Sequence, residues 1–338
     1  MPAPAYFSMN ALQTPLAAED QALVEGVLSG RLRALAKTIT LIESQRDDHK
    51  RRAKAVLEAL LPHSGGAMRL GISGVPGVGK STFIEALGLH LIAQGMKVAV
   101  LAVDPSSSLT GGSILGDKTR MELLSQSTSA FIRPSPSAGS LGGVAEKTRE
   151  AMLVCEAYGF DVIIVETVGV GQSETAVAGM TDMFCLLQLP NAGDDLQAIK
   201  KGIMEIADMI VVNKADIDAR AAQLARAQMK SALHLLRPAS ANWTVPVLTL
   251  SALHKDGVVE FWQQVEAYRK AMQASGEFEA KRRHQALAWM WEMIDSGLRA
   301  RFRSHPEVKR QLPGLREAVE EGATTPSAAA WRLLGMLN

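Results

Sequence analysis

MRLGISGVPGVGKSTFIEALGLHLIA, residues 68–93, passes from a short apolar run through a glycine-punctuated loop into a stretch with helical spacing. The loop is Gly74-Val75-Pro76-Gly77-Val78-Gly79-Lys80-Ser81, a GxxxxGKS pattern with a strand expected before it and a helix after it, the setting the pattern requires. Glycines let successive backbone N–H groups turn inward, and the helix that follows contributes the positive end of its dipole. Such a segment is built to cradle phosphates. Lys80 is placed to neutralise β- and γ-phosphates, and Ser81 to offer its hydroxyl to Mg²⁺.

Outward from this loop the rhythm continues. Short apolar runs at 69–73, 97–103, 162–165, 183–189, 209–212 and 245–250 alternate with helical stretches at 81–94, 144–158 and 219–236. The runs are continuously apolar rather than alternating, as expected for strands covered on both faces. Strand, helix, strand at this spacing predicts an α/β fold with a mainly parallel, doubly wound sheet. Before it, residues 16–61 read as helical, with Leu28, Leu32, Leu35, Ile39 and Ile42 forming one apolar stripe. After it, Leu287, Met290, Ile294, Leu298 and Phe302 form another, with Trp289 and Met293 pointing elsewhere, the mark of a helix with more than one partner. A short amphipathic helix follows Pro326. The expected organisation is an N-terminal helical region at 1–62, a nucleotide-binding domain at 63–272 and a C-terminal helical region at 273–338.

Composition narrows the function classes. The 338 residues carry 36 Lys+Arg against 35 Asp+Glu, so no overall charge draws the chain to nucleic acid or to an anionic membrane. Cys155 and Cys185 are too few for a disulfide framework or a four-thiolate zinc site, and they read as small core residues. The first twenty residues lack a basic segment followed by an apolar core, and no run reaches the ~18 apolar residues of a membrane span. The expectation is a cytoplasmic protein.

Asn213-Lys214-Ala215-Asp216 follows the run at 209–212. An aspartate here can accept from the N1–H and the 2-amino group of guanine, whereas adenine would leave it unpaired; sites built on such bonds reject the analogue by factors of about 10⁴. Ser251-Ala252-Leu253, after the next strand, fits a loop closing over the base, although a helix-capping serine is the plainer reading. Three acids stand near the phosphate loop. Glu166 ends one strand and opens Glu166-Thr167-Val168-Gly169, whose Gly169 N–H is placed to sense a γ-phosphate; Asp104 ends another strand; Asp117 sits in Gly116-Asp117-Lys118. A single acid at a strand end is usually a turn or cap residue, but three together favour Mg²⁺. Val170 stands where small signalling GTPases carry a water-orienting Gln, so unassisted hydrolysis is expected to be slow unless Gln172 or Lys200 takes that part. The run Lys281-Arg282-Arg283-His284 reads as a solvated helix face, or as a match for a partner's acidic patch, and Trp289 and Trp291 as packing anchors.

GVPGVGKSTF, VLAVDPSSSLTGGSILGDKTRM, DVIIVETVGVGQSE, QLPNAGDDLQAIKKGIMEIAD and VVNKAD together resemble the accessory GTPases of adenosylcobalamin-dependent acyl-CoA mutases, the MeaB/ArgK type, which includes the human methylmalonic aciduria type A protein. The resemblance runs from about residue 16 to 298. It implies a P-loop G domain of the SIMIBI class, dimers formed through the C-terminal helices, and a GTPase chaperone that gates adenosylcobalamin loading and removal of inactive cofactor. Residues Gly74 to Thr82 would bind phosphates, Asn213, Lys214, Asp216 and Ser251 to Leu253 guanine, and Ser81, Asp104, Asp117 and Glu166 would match Mg²⁺-linked positions. Residues 191–200 match a switch that responds to the mutase, with Lys200 or Asp194 brought towards the phosphates beside Lys80 and Glu166. GTP or GDP is the implied ligand, and no tightly bound cobalamin is expected. The implied partners are a second copy, a mutase and an adenosyltransferase. A SIMIBI metallochaperone, or a GTP-binding regulator without significant turnover, are the alternatives; the first usually shows Cys/His clusters.

Overall fold

The computed structural model describes residues 16–103, 121–134, 141–167, 173–190, 201–236 and 240–337. Seven parallel strands form one sheet: β1 (Met68–Gly74), β2 (Val98–Val103), β3 (Ala130–Arg133), β4 (Val162–Thr167), β5 (Met183–Gln188), β6 (Met209–Val212) and β7 (Val247–Thr249). Their order is β3-β2-β4-β1-β5-β6-β7, which puts the phosphate-loop strand at the centre. Parallel neighbours need crossovers, and the helices supply them on both faces.

In chain order the helices are α1 (Ala18–Leu28), α2 (Leu32–Glu43), α3 (Asp47–Leu60), α4 (Lys80–Ala93), α5 (Glu122–Ser125), α6 (Leu141–Tyr158), α7 (Ser173–Ala178), α8 (Lys201–Glu205), α9 (Ala219–Leu233), α10 (Val258–Ser275), α11 (Glu277–Ser304), α12 (Pro306–Glu320) and α13 (Pro326–Leu334). The strand side chains alternate between two cores. Ile163, Val165, Phe184 and Leu186 face one that contains α1, α2, α3, α6 and α9. Leu70, Ile72, Cys185 and Leu187 face the other, with Phe83 and Leu87 of α4 and Phe261 and Val265 of α10. Burial on both faces is why the strands read as unbroken apolar runs.

Two compact units divide after Arg282. The first holds the sheet and the N-terminal helices; the second, from Arg283, has its own small core, with Val308, Ala329 and Leu333 buried.

The structure departs from the sequence reading in four places. The stripe from Leu28 to Ile42 is two helices, because the chain turns through Gly30 at φ +72; Leu28 and Leu32 are exposed while Leu35, Ile39 and Ile42 are buried. β3 was not expected: it is a four-residue edge strand of alternating burial, too short to stand out as an apolar run. Lys281 and Arg282 are not a solvated face. Arg282 donates from Nε and Nη2 to both oxygens of Asp182 (2.7 and 2.6 Å) and from Nη1 to Gly65 O (2.6 Å), while Lys281 Nζ reaches Asp208 Oδ2 at 3.1 Å. Only Arg283 and His284 of that run are exposed. Trp291, read from the sequence as a packing anchor, is exposed on α11.

Cys155 and Cys185 are both fully buried, as expected. Burial pushes the Cys155 thiol far up, helped by the Glu156 charge, and pushes Cys185 up too, with Asp208 adding to the shift and Lys281 opposing it. A thiolate is the reactive form, so neither cysteine should react with a soluble disulfide reagent in the folded protein. Both should react after denaturation; a fast thiol in the native state would contradict this packing.

Candidate functional site

The site lies at the carboxyl ends of the strands, where open parallel sheets bind ligands. β1 ends at Gly74, the loop follows, and α4 starts at Lys80. Glycine is required at both ends of the loop. Gly74 has φ +154 and a Cβ there would lie 2.5 Å from Leu187 O; Gly79 has φ +94 and its Cβ would lie 2.7 Å from Asn213 Nδ2. Space beside Gly79 is thus reserved for Asn213, and both positions have a backbone twist that side chains resist.

Lys80 is buried, with Nζ donating to Gly74 O at 2.8 Å and to Val75 O at 3.4 Å. The ammonium is therefore held against the backbone at the start of the glycine loop. Ser81 Oγ stands 3.5 Å from Glu166 Oε1, so the hydroxyl on α4 and the carboxylate at the end of β4 meet across the strand ends. A hydroxyl and a nearly buried carboxylate are hard oxygen donors, which suits Mg²⁺. Beneath them Thr167 Oγ1 donates to Ser73 Oγ at 2.7 Å, tying β4 to β1. The sequence reading missed this tie, although the switch from apolar to hydroxyl residues at both strand ends was its signal.

Asn213 joins the two halves of the site. Its Nδ2 donates to Val78 O at 2.8 Å, and its Oδ1 accepts from Lys214 N at 2.8 Å and Ala252 N at 3.0 Å. Its backbone N–H reaches Gln188 O. One buried carboxamide therefore fixes the phosphate loop, the turn after β6 and the loop after β7 in one frame. Lys214 takes φ +60 and lies along the loop at Gly79. Asp216 is on the same turn. A hydrogen bond from Ser251 holds its carboxyl below the usual carboxylate range against some burial, with its own backbone N–H, His254 and Lys214 adding to the effect. Its nearest imidazole is His254, Nε2 at 3.9 Å from Oδ2, which the sequence did not single out. Ala252 is buried and Leu253 is exposed.

The structure thus brings together Gly74 to Thr82, Glu166, Asn213, Lys214, Asp216 and Ser251 to Leu253 at one edge of the sheet. Asp104, Asp117, Gly169, Val170, Gln172, Asp194 and Lys200 lie outside the described residues. Among the described residues there is no group of three or more His, Cys, Asp and Glu that could hold a metal ion, and no helix long and apolar enough to cross a membrane.

A family model described as methylmalonyl-CoA mutase-associated GTPase MeaB matches residues 35–307. A Caulobacter vibrioides protein provisionally named a GTPase is 54% identical over 308 residues, 91% of this chain and 94% of its own. The GTPase ArgK of Escherichia coli is 47% identical, covering 88% of this chain and 90% of ArgK. The mitochondrial methylmalonic aciduria type A homolog of Mus musculus is 45% identical, covering 92% of this chain and 78% of its own. A crystal structure described as an LAO/AO transport system kinase superposes with a TM-score of 0.76 at 38% identity, covering 95% of this chain and 98% of that one.

Proposed function

The chain belongs to the MeaB family of methylmalonyl-CoA mutase-associated GTPases, and from that premise we propose that its hydrolysis of GTP gates adenosylcobalamin loading into a client acyl-CoA mutase and removal of inactive cofactor. The observation that carries the reading is the Asn213 brace, which makes the phosphate loop and the base-reading turn one rigid nucleotide frame.

The residues take the following parts. The N–H groups of residues 74–82 cradle the phosphates, and Lys80 neutralises the charge that grows on the bridging and γ-oxygens as water attacks in line. Asp216 accepts from guanine N1–H and the 2-amino group, with Ser251, Ala252 and Leu253 closing beside the base. Ser81 and Glu166 would hold Mg²⁺, with Asp104 and Asp117 completing the set from the sequence; the metal would supply further neutralisation of the phosphates. Val170 offers no polar group to the attacking water, so Lys200 or Asp194, with Gly169 sensing the γ-phosphate, act once the mutase engages residues 191–200. Cobalamin is the client's cofactor rather than a resident of this chain. An adenosyltransferase is the proposed source of the cofactor, and the cytoplasm the proposed location.

The exposed apolar face of α11, Leu287, Met290, Ile294 and Leu298, supports pairing of two copies through the C-terminal region. Light scattering should therefore give twice the monomer mass.

Replacing Asp216 by Asn exchanges an acceptor for a donor. GTP affinity should fall by about a hundredfold or more while xanthosine triphosphate, which carries a carbonyl at C2, gains. Because the folded carboxyl is held below its ordinary value, it stays ionised from neutral pH down through about pH 5, and guanine selectivity should be flat over that window. Equal affinity for GTP and ATP in calorimetry would contradict the assignment.

Gating itself is read from the absorbance change as adenosylcobalamin enters apo-mutase. Loading should depend on whether the G protein holds GTP or GDP; equal rates with both, and with no nucleotide, would overturn it.

A further inference from the structure

On the N-terminal helices a groove of about 760 Å³ opens among α1, α2 and α3. The buried sides of these helices pack on one face of the sheet, while α4, which carries Lys80 and Ser81, packs on the other. The groove is separate from the nucleotide site.

Three features bear on what fills it. The first is one-sided charge. Arg31, at the head of α2, and Arg33 and Lys37 on that helix line the groove, are exposed, and make no ion pair among the described residues. Glu19 is the one acid in the lining, and Arg52 Nη2 takes it at 3.2 Å together with the buried Asp20 at 2.8 Å. Counting Asp20, four cations stand against two carboxylates. The other acids of these helices lie outside the lining and have partners of their own: Glu25 accepts from Gln21, and Glu43, Asp47, Asp48 and Glu58 pair with Arg133, Lys50, Arg46 and Lys54. Residues 1–15, ahead of α1, carry no Asp or Glu to make up the difference.

The second feature is an apolar strip beside the charge. Leu23 of α1 and Ala34 and Leu41 of α2 line the groove. Ala34 and Leu41 are two turns apart and Arg33 and Lys37 one turn apart, so apolar surface and charge run together along the α2 axis. The third is that the walls are fixed. Gly26 lets α1 meet α2 closely, since a Cβ there would lie 2.4 Å from Ala34 Cβ. Arg52 ties α3 to α1, and Arg133 ties Glu43 and Thr40 of α2 to β3. A surface already fixed loses little freedom on binding.

We propose that this groove docks an acidic amphipathic helix of a partner protein, its apolar side resting on Leu23, Ala34 and Leu41 and its acids meeting Arg31, Arg33 and Lys37. Acids at i and i+4 repeat the spacing of Arg33 and Lys37, and a helix laid along α2 makes a fourth member of the α1–α2–α3 cluster. The inference goes beyond the GTPase reading and does not depend on it.

Fluorescence anisotropy with the full-length protein at low salt tests the docking. The probe is a labelled peptide of about four helical turns with Leu along one face and Glu at i, i+4 beside it. Its counterparts carry Gln or Lys in place of every Glu. The Glu peptide should bind with Kd about 0.1 mM or tighter and weaken as salt rises. The Gln peptide should bind at least about tenfold more weakly, because exposed charge pairs are each worth little but add. Arg33→Glu with Lys37→Glu should weaken the Glu peptide by about tenfold or more and make the Lys peptide the tighter binder. Arg33→Gln with Lys37→Gln, gentler on α2, should weaken the Glu peptide without favouring the Lys peptide. Both double variants should keep the wild-type circular dichroism and basal GTP hydrolysis. The proposal is overturned if the Glu peptide does not bind, if the Gln peptide binds as tightly, or if both double variants bind the Glu peptide like wild type. It is equally overturned if citrate displaces the peptide at matching concentration, which marks a small-anion site, or if the charge reversal lowers the mass in light scattering, which puts a second copy in the groove.

Discussion

Lys80→Ala lowers single-turnover GTP hydrolysis by about 10³-fold or more, the scale on which a well-placed cation acts in phosphoryl transfer. The magnitude follows from where the ammonium sits. It is buried, 2.8 Å from Gly74 O, and so already over the loop that takes the phosphates. A cation held in a water-poor site acts without reorganisation at the moment of reaction. The fold should survive, because Gly74 O lies at a loop that water reaches once the side chain is gone. Circular dichroism and unfolding temperature check that point, and stopped-flow phosphate release gives the rate. A folded Lys80→Ala protein that hydrolyses GTP within tenfold of wild type would remove Lys80 from the chemistry.

Arg282→Leu destabilises the first unit by about 3–5 kcal/mol, the scale for breaking a buried ion pair on one side. Asp182 has a side chain 1% exposed, and its carboxylate takes both Arg282 bonds and Arg69 N at 2.8 Å. Without the guanidinium, that charge stays in the core unpaired. Gly65 O and Ala67 O lose their donors as well. For a unit of this size the unfolding midpoint should fall by about 5–10 °C. The neighbouring Arg283→Leu, on an exposed side chain, should move stability by no more than about 0.5 kcal/mol. Replacing Asp182 by Asn in the Arg282→Leu background should recover part of the loss, since the stranded charge goes with it. Equal midpoints for Arg282→Leu and Arg283→Leu would show that the pair does not hold this helix.

These two residues also mark how far the sequence could be read. Lys80 was legible because its chemistry is local: the loop, strand and helix that place it are contiguous, and the glycines at 74 and 79 announce their backbone conformations. Asp216 was legible for the same reason, four residues after a strand that burial makes wholly apolar. Arg282 was not. Its partner Asp182 is 100 residues away and Gly65 is 217 away, so in the sequence the basic run looks like any solvated face. Asn213 falls between the two cases. The motif marked it, but its bonds to Val78 O and Ala252 N exist only once the four strands from β1 to β7 (β1, β5, β6 and β7) lie side by side. β3 and the break at Gly30 were missed because four alternating residues and one glycine are weak signals beside an otherwise continuous pattern.

The proposed GTPase is slow alone and fast with its client. Single-turnover hydrolysis of GTP, measured with and without a stoichiometric adenosylcobalamin-dependent acyl-CoA mutase, tests this most directly. The chain should turn over slowly by itself, because Val170 stands where a water-orienting Gln would be, and at least one mutase should accelerate it by about tenfold or more, within the range that a cation or acid brought to the phosphates supplies. Lys200→Ala should remove the acceleration and leave the basal rate. Turnover that no mutase changes would contradict the account.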